Sequence, residues 1–343
     1  GVAPDAGALG WYAADGARTE LELPYALGAF YVGEGVAAIP DVTGDGRPEA
    51  LVGAPFHALP ASGVRGGTAW LFPGGDGAEA PLTLGGHNQH SGYDYLGWRV
   101  GSAGDFDGDG HPDFVVVARA DERPGSFPAQ FVGGDCLPRS SDGGGIYIYR
   151  GGPDLDAQPD WVYFHDVGGA NLHAVAATDV NGDGRSDLVL GSHFWDAGGN
   201  NDAGGAVIVL GRAAAGPDEI QLVCDSAWRA TGDSVSQHLG RRVVALGDLD
   251  GDGCGEVAIG APLYDPPGRG NAGAVYLVRG FGGPRCPPNA QAVRVVANDA
   301  NAQFGSSLAA GDLDGDGVPE LAVGGVGLRN DGVSAGGVWV LPG

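Results

Sequence analysis

The stretch Asp248-Leu249-Asp250-Gly251-Asp252-Gly253-Cys254-Gly255-Glu256 sets the plan of this 343-residue chain. Four variants of it occur elsewhere: Asp41-Val42-Thr43-Gly44-Asp45-Gly46-Arg47-Pro48-Glu49, Asp105-Phe106-Asp107-Gly108-Asp109-Gly110-His111-Pro112-Asp113, Asp179-Val180-Asn181-Gly182-Asp183-Gly184-Arg185-Ser186-Asp187 and Asp312-Leu313-Asp314-Gly315-Asp316-Gly317-Val318-Pro319-Glu320. Oxygen side chains at positions 1, 3 and 5, a Gly at 6 for a sharp turn and an acid at 9 suit a hard cation. One such stretch reads equally well as an ordinary hairpin turn, because Asp, Asn and Gly form turns without any metal. Five copies that hold the acids at positions 1, 5 and 9 favour the ion. The expected ligands are the side chains at 1, 3, 5 and 9 and the main-chain carbonyl at 7, the latter from Arg47, His111, Arg185, Cys254 and Val318. Oxygen donors without His or Cys side chains point to Ca2+, about five ions, rather than to zinc, copper or octahedral magnesium.

An EF-hand would place a bidentate Glu at position 12 between two helices. Here position 12 is Val52, Val116, Leu190, Ile259 or Val323, and the acid stands at 9. Each position-9 acid opens a short run of branched apolar residues, such as Val257 to Ile259 or Leu321 to Val323, and a similar run precedes each loop. Each loop therefore joins two strands of a hairpin.

The chain has 67 Gly and 23 Pro, no collagen period, no convincing amphipathic helix and no apolar run long enough to span a bilayer. This is the composition of a soluble all-β protein of many short strands. Formal charge is -25 and all 18 basic residues are Arg, which argues against a nucleic-acid partner. The five loops hold 18 of the 43 acids, so five calcium ions would move the charge to -15. Cys136, Cys224, Cys254 and Cys286 show no Cys-x-x-Cys spacing, and an even count suits disulfides. Disulfides and weak calcium loops together favour an extracellular or cell-surface location. With no initiating Met and no signal peptide, Gly1 reads as a processing boundary.

First aspartates of successive loops are 64, 74, 69 and 64 residues apart. Most loops follow a Val-Gly, Leu-Gly or Phe-Gly pair, namely Val32-Gly33, Leu96-Gly97, Leu239-Gly240 and Phe304-Gly305; the third repeat shows Ala170-Asn171 instead. Gly53-Ala54-Pro55 and Gly260-Ala261-Pro262 follow the second strand, with Val117-Ala118-Arg119, Gly191-Ser192-His193 and Gly324-Gly325-Val326 in the other repeats. A third strand follows a Gly or Gly pair, and fourth strands are expected at Leu82 to Leu84, Trp161 to Phe164, Ile220 to Val223 and Val293 to Val296. Four antiparallel strands make a blade, and blades arranged radially make a β-propeller.

The loop, the Phe-Gly-like pair and the Gly-Ala-Pro-like triplet resemble the FG-GAP repeats of the integrin alpha-subunit propeller and its bacterial relatives, from about Leu27 onward. The resemblance implies an all-β, single-domain propeller over residues 1–343. Its repeats span approximately 27–90, 91–166, 167–232, 233–298 and 299–343. Five blades are expected, where the integrin propeller has seven. The last repeat has three strands, so residues 18–24 are expected to complete it, while Leu9 to Ala13 offers a second candidate for that slot.

The resemblance implies a calcium-binding adhesion or ligand-binding module, monomeric, that binds a protein or glycan on the face opposite the calcium loops. The alternative is an extracellular lyase or hydrolase acting on polysaccharide, since fold alone does not decide function. His57, His87, His90, His165, His173, His193 and His238 form no recognisable catalytic motif, so no catalytic residue is assigned. Variable loops between second and third strands, above all Ala120 to Asp142, carry Phe127, Phe131, Phe194, Trp195, Tyr264 and Arg329 as candidate contacts. Two disulfides are expected from the blade topology, Cys254 with Cys286 and Cys136 with Cys224.

Overall fold

Each apolar run that follows a loop becomes a buried central strand. The computed structural model describes residues 9–12, 18–21, 31–57, 66–75, 80–85, 94–120, 142–165, 167, 169–213, 221–223, 226–330 and 333–343, and no α-helix occurs among them. An N-terminal hairpin joins β1 (Leu9–Tyr12) to β2 (Arg18–Leu21). The first blade-like sheet contains β3 (Val36–Ile39), β4 (Glu49–Ala54), β5 (Thr68–Phe72) and β6 (Leu82–Leu84), in that order. The second contains β7 (Leu96–Gly104), β8 (Asp113–Ala118), β9 (Gly145–Tyr149) and β10 (Trp161–Phe164). A further strand, β14 (Gln221–Val223), lies parallel to β10 at its edge.

The third sheet is built from β11 (Ala174–Thr178), β12 (Asp187–Ser192), β13 (Gly205–Val209) and β15 (Trp228–Thr231). The fourth contains β16 (Arg242–Gly247), β17 (Glu256–Ala261), β18 (Ala274–Val278) and β19 (Ala292–Val296). The fifth holds three strands, β20 (Phe304–Gly311), β21 (Glu320–Gly325) and β24 (Gly337–Leu341), with a small hairpin of β22 (Arg329–Asn330) and β23 (Val333–Ser334) inserted. The described residues are thus all-β, in blade-like antiparallel sheets: three of four strands, one of four with β14 added parallel at its edge, and one of three.

One expectation is corrected. Residues 220–223 do not close the third sheet: β14 pairs with β10, and Trp228–Thr231 takes the place instead, held by the Ala227 N–H bonded to the Ile208 carbonyl at 2.8 Å. Trp228 then packs on the apolar cluster around Ile208 and Val257, burial that Trp-Arg-Ala-Thr does not advertise as a strand. The two candidates for the free slot of the fifth repeat pair with each other, β1 with β2, and residues 22–24 lie outside the described residues.

By its internal contacts the chain divides into two compact units, residues 1–105, 109–168 and 213–224, and residues 106–108, 169–212 and 225–343. In the first, β4 and β3 pack on β7 around Leu51, Leu71, Phe114 and Tyr149, with the last two rings stacked 5.0 Å apart. In the second, β11 packs beside β16, and β16 and β17 beside β20. The glycines of the two repeated signatures explain these approaches. A Cβ on Gly53 would stand 1.9 Å from the Gly97 carbonyl oxygen, and one on Gly260 would stand 2.4 Å from that of Gly305. The Phe-Gly-like glycine of one sheet therefore lies against the Gly-Ala-Pro-like glycine of the sheet before it, closer than any side chain permits.

Candidate metal centre

Each loop folds around its own carboxylates. The position-6 N–H donates to the position-1 carboxylate in all five: Gly46 to Asp41 at 2.7 Å, Gly110 to Asp105 at 3.0 Å, Gly184 to Asp179 at 2.8 Å, Gly253 to Asp248 at 2.9 Å and Gly317 to Asp312 at 3.0 Å. Aiming that N–H requires a left-handed backbone, and the five position-6 glycines have φ between 86° and 93°. The position-7 N–H, from Arg47, His111, Arg185, Cys254 or Val318, donates to the position-5 carboxylate at 2.8 to 3.0 Å in every loop.

Position 9 ties the loop to the sheet. Glu49, Asp113, Asp187, Glu256 and Glu320 are all buried, none more than 8% exposed. One carboxylate oxygen accepts the position-2 N–H, Val42 to Glu49 at 2.8 Å, Val180 to Asp187 at 2.9 Å, Leu249 to Glu256 at 2.8 Å and Leu313 to Glu320 at 2.7 Å. The other oxygen accepts an N–H just past the third strand in three sheets: Gly151 to Asp113 at 3.0 Å, Gly211 to Asp187 at 2.8 Å and Gly280 to Glu256 at 3.1 Å. In the first loop the Thr43 hydroxyl donates to Glu49 instead, at 3.0 Å. Position 2 is apolar in every copy, and Val42, Phe106 and Val180 are almost wholly buried, which gives the first three loops an inner face, while Leu249 is partly buried and Leu313 exposed.

Four loops bring acids to one point. Ligand oxygens of Asp41, Asp45 and Glu49 lie within 4.8 Å of one another, as do those of Asp105, Asp107 and Asp113, of Asp248, Asp250 and Glu256, and of Asp312, Asp314 and Asp316. The third loop, with neutral Asn181 at position 3, forms no such trio of acids among the described residues. Its Asn181 amide oxygen accepts the Asp183 N–H at 2.9 Å.

The electrostatics match. Burial pushes the Asp187 carboxyl up to about 7, aided by Asp179 and Asp183 and opposed by the N–H groups of Gly211 and Val180. Burial also raises Glu256 and Glu49. Asp41 moves the other way: desolvation, the largest single effect, raises it, but is outweighed by the combined donation from the Gly46, Gly44 and Asp45 N–H groups and the Thr43 hydroxyl.

Arginines that the sequence reading did not single out reach these loops. Arg279, directly after β18, is bonded to Asp250 and lies 3.7 Å from Asp252. Arg150, directly after β9, pairs with Asp109 at 3.2 Å. Of the position-7 side chains, Arg185 donates to the Asp107 carbonyl at 3.1 Å, and Cys254 is bonded to Cys286 with Cα atoms 6.0 Å apart, as the topology predicts. Cys136 and Cys224 lie outside the described residues.

A family model of the FG-GAP repeat matches residues 97–126, 171–210, 240–278 and 304–341, each match ending in or beyond the strands that flank a loop. The chain is an FG-GAP repeat protein. It is 31% identical to integrin alpha pat-2 of Caenorhabditis briggsae over 254 residues, covering 68% of this chain and 18% of that protein. It is 31% identical to integrin alpha-V of Gallus gallus over 245 residues, 68% of this chain and 20% of the other. Human integrin alpha-IIb is 34% identical over 163 residues. The chain thus spans about a fifth or less of these relatives. Among solved structures, the exotype rhamnogalacturonan lyase YesX superposes with a TM-score of 0.36 at 13% identity, covering 85% of this chain and 56% of that one, too loose a likeness to carry an argument.

In this FG-GAP protein the candidate contact residues divide. Trp195 and Tyr264 are 4% and 8% exposed and plug the bases of their loops, Trp195 beneath the Arg229 guanidinium at 5.2 Å and Tyr264 beneath that of Arg294 at 4.3 Å. Phe194 is half-buried and Arg329 exposed. Residues 121–141, with Phe127 and Phe131, lie outside the described residues, as do His87 and His90.

Proposed function

We propose that this FG-GAP chain is a calcium-loaded ligand-binding module of an extracellular or cell-surface protein, folded as one propeller over residues 1–343 with one ion in each of its five loops. The observation that carries the reading is the convergence of three carboxylates within 4.8 Å in four loops, all on oxygen donors and none on His or a free thiol. Such a donor set fits a hard divalent cation, and a flexible loop of nine residues fits calcium. Side chains at positions 1, 3, 5 and 9 and the carbonyl at 7 would hold it. Bound there, calcium would supply positive charge beyond that of Arg150 and Arg279, which each reach one loop.

Relatives named as integrin alpha subunits and the Cys254–Cys286 disulfide support presentation outside the cytoplasm. A protein or glycan partner is assigned to the face opposite the calcium loops, where the second-to-third-strand loops vary in length and chemistry. Melting curves with calcium and with chelator test the ion's role. A chelator-induced fall in melting temperature supports it, and superimposable curves would reduce the loops to turns. Screening surface proteins and glycans in both conditions then tests the binding role.

A further inference from the structure

We propose that Tyr31, Phe56, Tyr95 and Trp98, together with Arg99 and Arg119, form a binding platform for an acidic sugar, a pyranose that carries a carboxylate. The inference rests on the ligand-binding role proposed above and names the class of partner. All six residues stand at the end of the first two blade-like sheets opposite the acidic loops. Tyr31 and Tyr95 come before β3 and β7, Trp98 and Arg99 lie near the start of β7, and Phe56 and Arg119 come after β4 and β8.

The rings form one contiguous cluster with Phe56 as its hub. The Phe56 centroid is 4.9 Å from that of Tyr31, 5.2 Å from Tyr95 and 6.5 Å from Trp98, and Tyr95 and Trp98 are 6.3 Å apart. The cluster is open to solvent: Tyr31 is 62% exposed, and the other three rings are half-buried. Tyr31 and Tyr95 both hold a φ of 57°, a left-handed conformation that bulky side chains rarely adopt. His238 and Gln303, which precede the Leu-Gly and Phe-Gly pairs of the fourth and fifth repeats, are left-handed as well. The backbone is thus shared between repeats, and the phenol rings at this position are particular to the first two.

Two guanidinium groups flank the rings. Arg119 lies 4.3 Å and Arg99 5.9 Å from the centroid of the Trp98 ring. Arg99 also donates to the Glu34 carbonyl at 3.1 Å and pairs with its carboxylate at 3.4 Å. Burial above all, and Arg99 as a like charge, lower the basicity of Arg119, while Tyr95 and Glu34 raise it. An incoming carboxylate would favour the charged guanidinium. This combination selects a class of ligand. The C–H faces of a pyranose stack on the negative faces of aromatic rings, and a guanidinium takes a carboxylate in a charge-assisted pair. A cationic side chain would meet Arg99 and Arg119 as like charges, and an acidic peptide would bring the carboxylate without the C–H face.

The test is calorimetric titration of the whole chain, in calcium, with three probes. They are a tetrasaccharide of alternating glucuronate and N-acetylglucosamine, its carboxyl-reduced form, and tetraglutamate. The acidic tetrasaccharide should bind at least about 10-fold more tightly than either of the others. Tyr31→Ala should weaken it about 5-fold, and Arg119→Gln should remove the preference over the carboxyl-reduced form. If Arg119→Gln does not fold, the exposed Tyr31 and the comparison of probes on the wild-type chain decide. Absence of binding, equal binding of the acidic sugar and either other probe, or affinity unchanged by both substitutions would overturn the platform. If the screen of surface proteins and glycans yields a different ligand, the platform alone fails; if it yields none, the binding role fails with it.

Discussion

Arg279 is bonded to Asp250, so the guanidinium occupies an oxygen that the fourth loop would offer to an ion. Both side chains are more than a third exposed, and such pairs contribute about 0.2–1 kcal/mol. Calcium bound through this oxygen would compete with Arg279. Arg279→Gln is therefore expected to tighten calcium at the fourth loop about 2- to 5-fold, read by calorimetry against wild type. Looser binding in the variant would mean that the arginine helps to hold the loop in its binding form.

Glu256 joins loop and sheet through the Leu249 and Gly280 N–H groups. In Glu256→Gln the amide NH2 faces one of these donors and cannot accept from it. The expected cost is about 1–3 kcal/mol of unfolding free energy, measured by denaturant titration in calcium. An unchanged midpoint would show that the carboxylate does not bear on the hairpin.

The raised carboxyls give a pH dependence of definite sign. A group whose folded pKa lies above its unfolded value contributes stability that is complete below the unfolded pKa and lost as pH rises through the folded one. For Asp187 that window runs from the ordinary value of 3.8 to about 7. Asp41, shifted down, loses its contribution only below the ordinary carboxylate value and lies outside the window. In chelator the melting temperature should fall as pH is raised from about 4 to about 7, and calcium should cancel the fall. Asp187→Asn should flatten the chelator curve. A chelator curve that rises over this range contradicts the assignment.

The Cys254–Cys286 disulfide closes a loop between residues 32 apart in sequence. The chain-entropy model gives about 3–4 kcal/mol for such a closure. Cys286→Ser paired with Cys254→Ser should lower stability by up to that amount. Non-reducing peptide mapping should recover the linked peptides from wild type.

Much of the fold was legible because each position-9 acid begins an apolar run that can only be a buried strand, as Glu256 begins β17. The loop chemistry was legible because oxygen donors repeat at fixed spacing. What sequence hid depends on pairing. Gln221–Val223 looks a better strand than Trp228–Thr231, yet register with β13 chooses the latter. Arg150 and Arg279 reach the loops only because they leave the third strand at the loop end of the sheet.

The central claim is that the loops are ion sites. Calorimetric titration of the metal-stripped chain with calcium, repeated with magnesium, tests it most directly. The account predicts about five calcium ions, with the first and third loops, which carry Thr43 and Asn181 at position 3, filling last, and much weaker uptake of magnesium. No calcium uptake, or magnesium bound equally well, would contradict it.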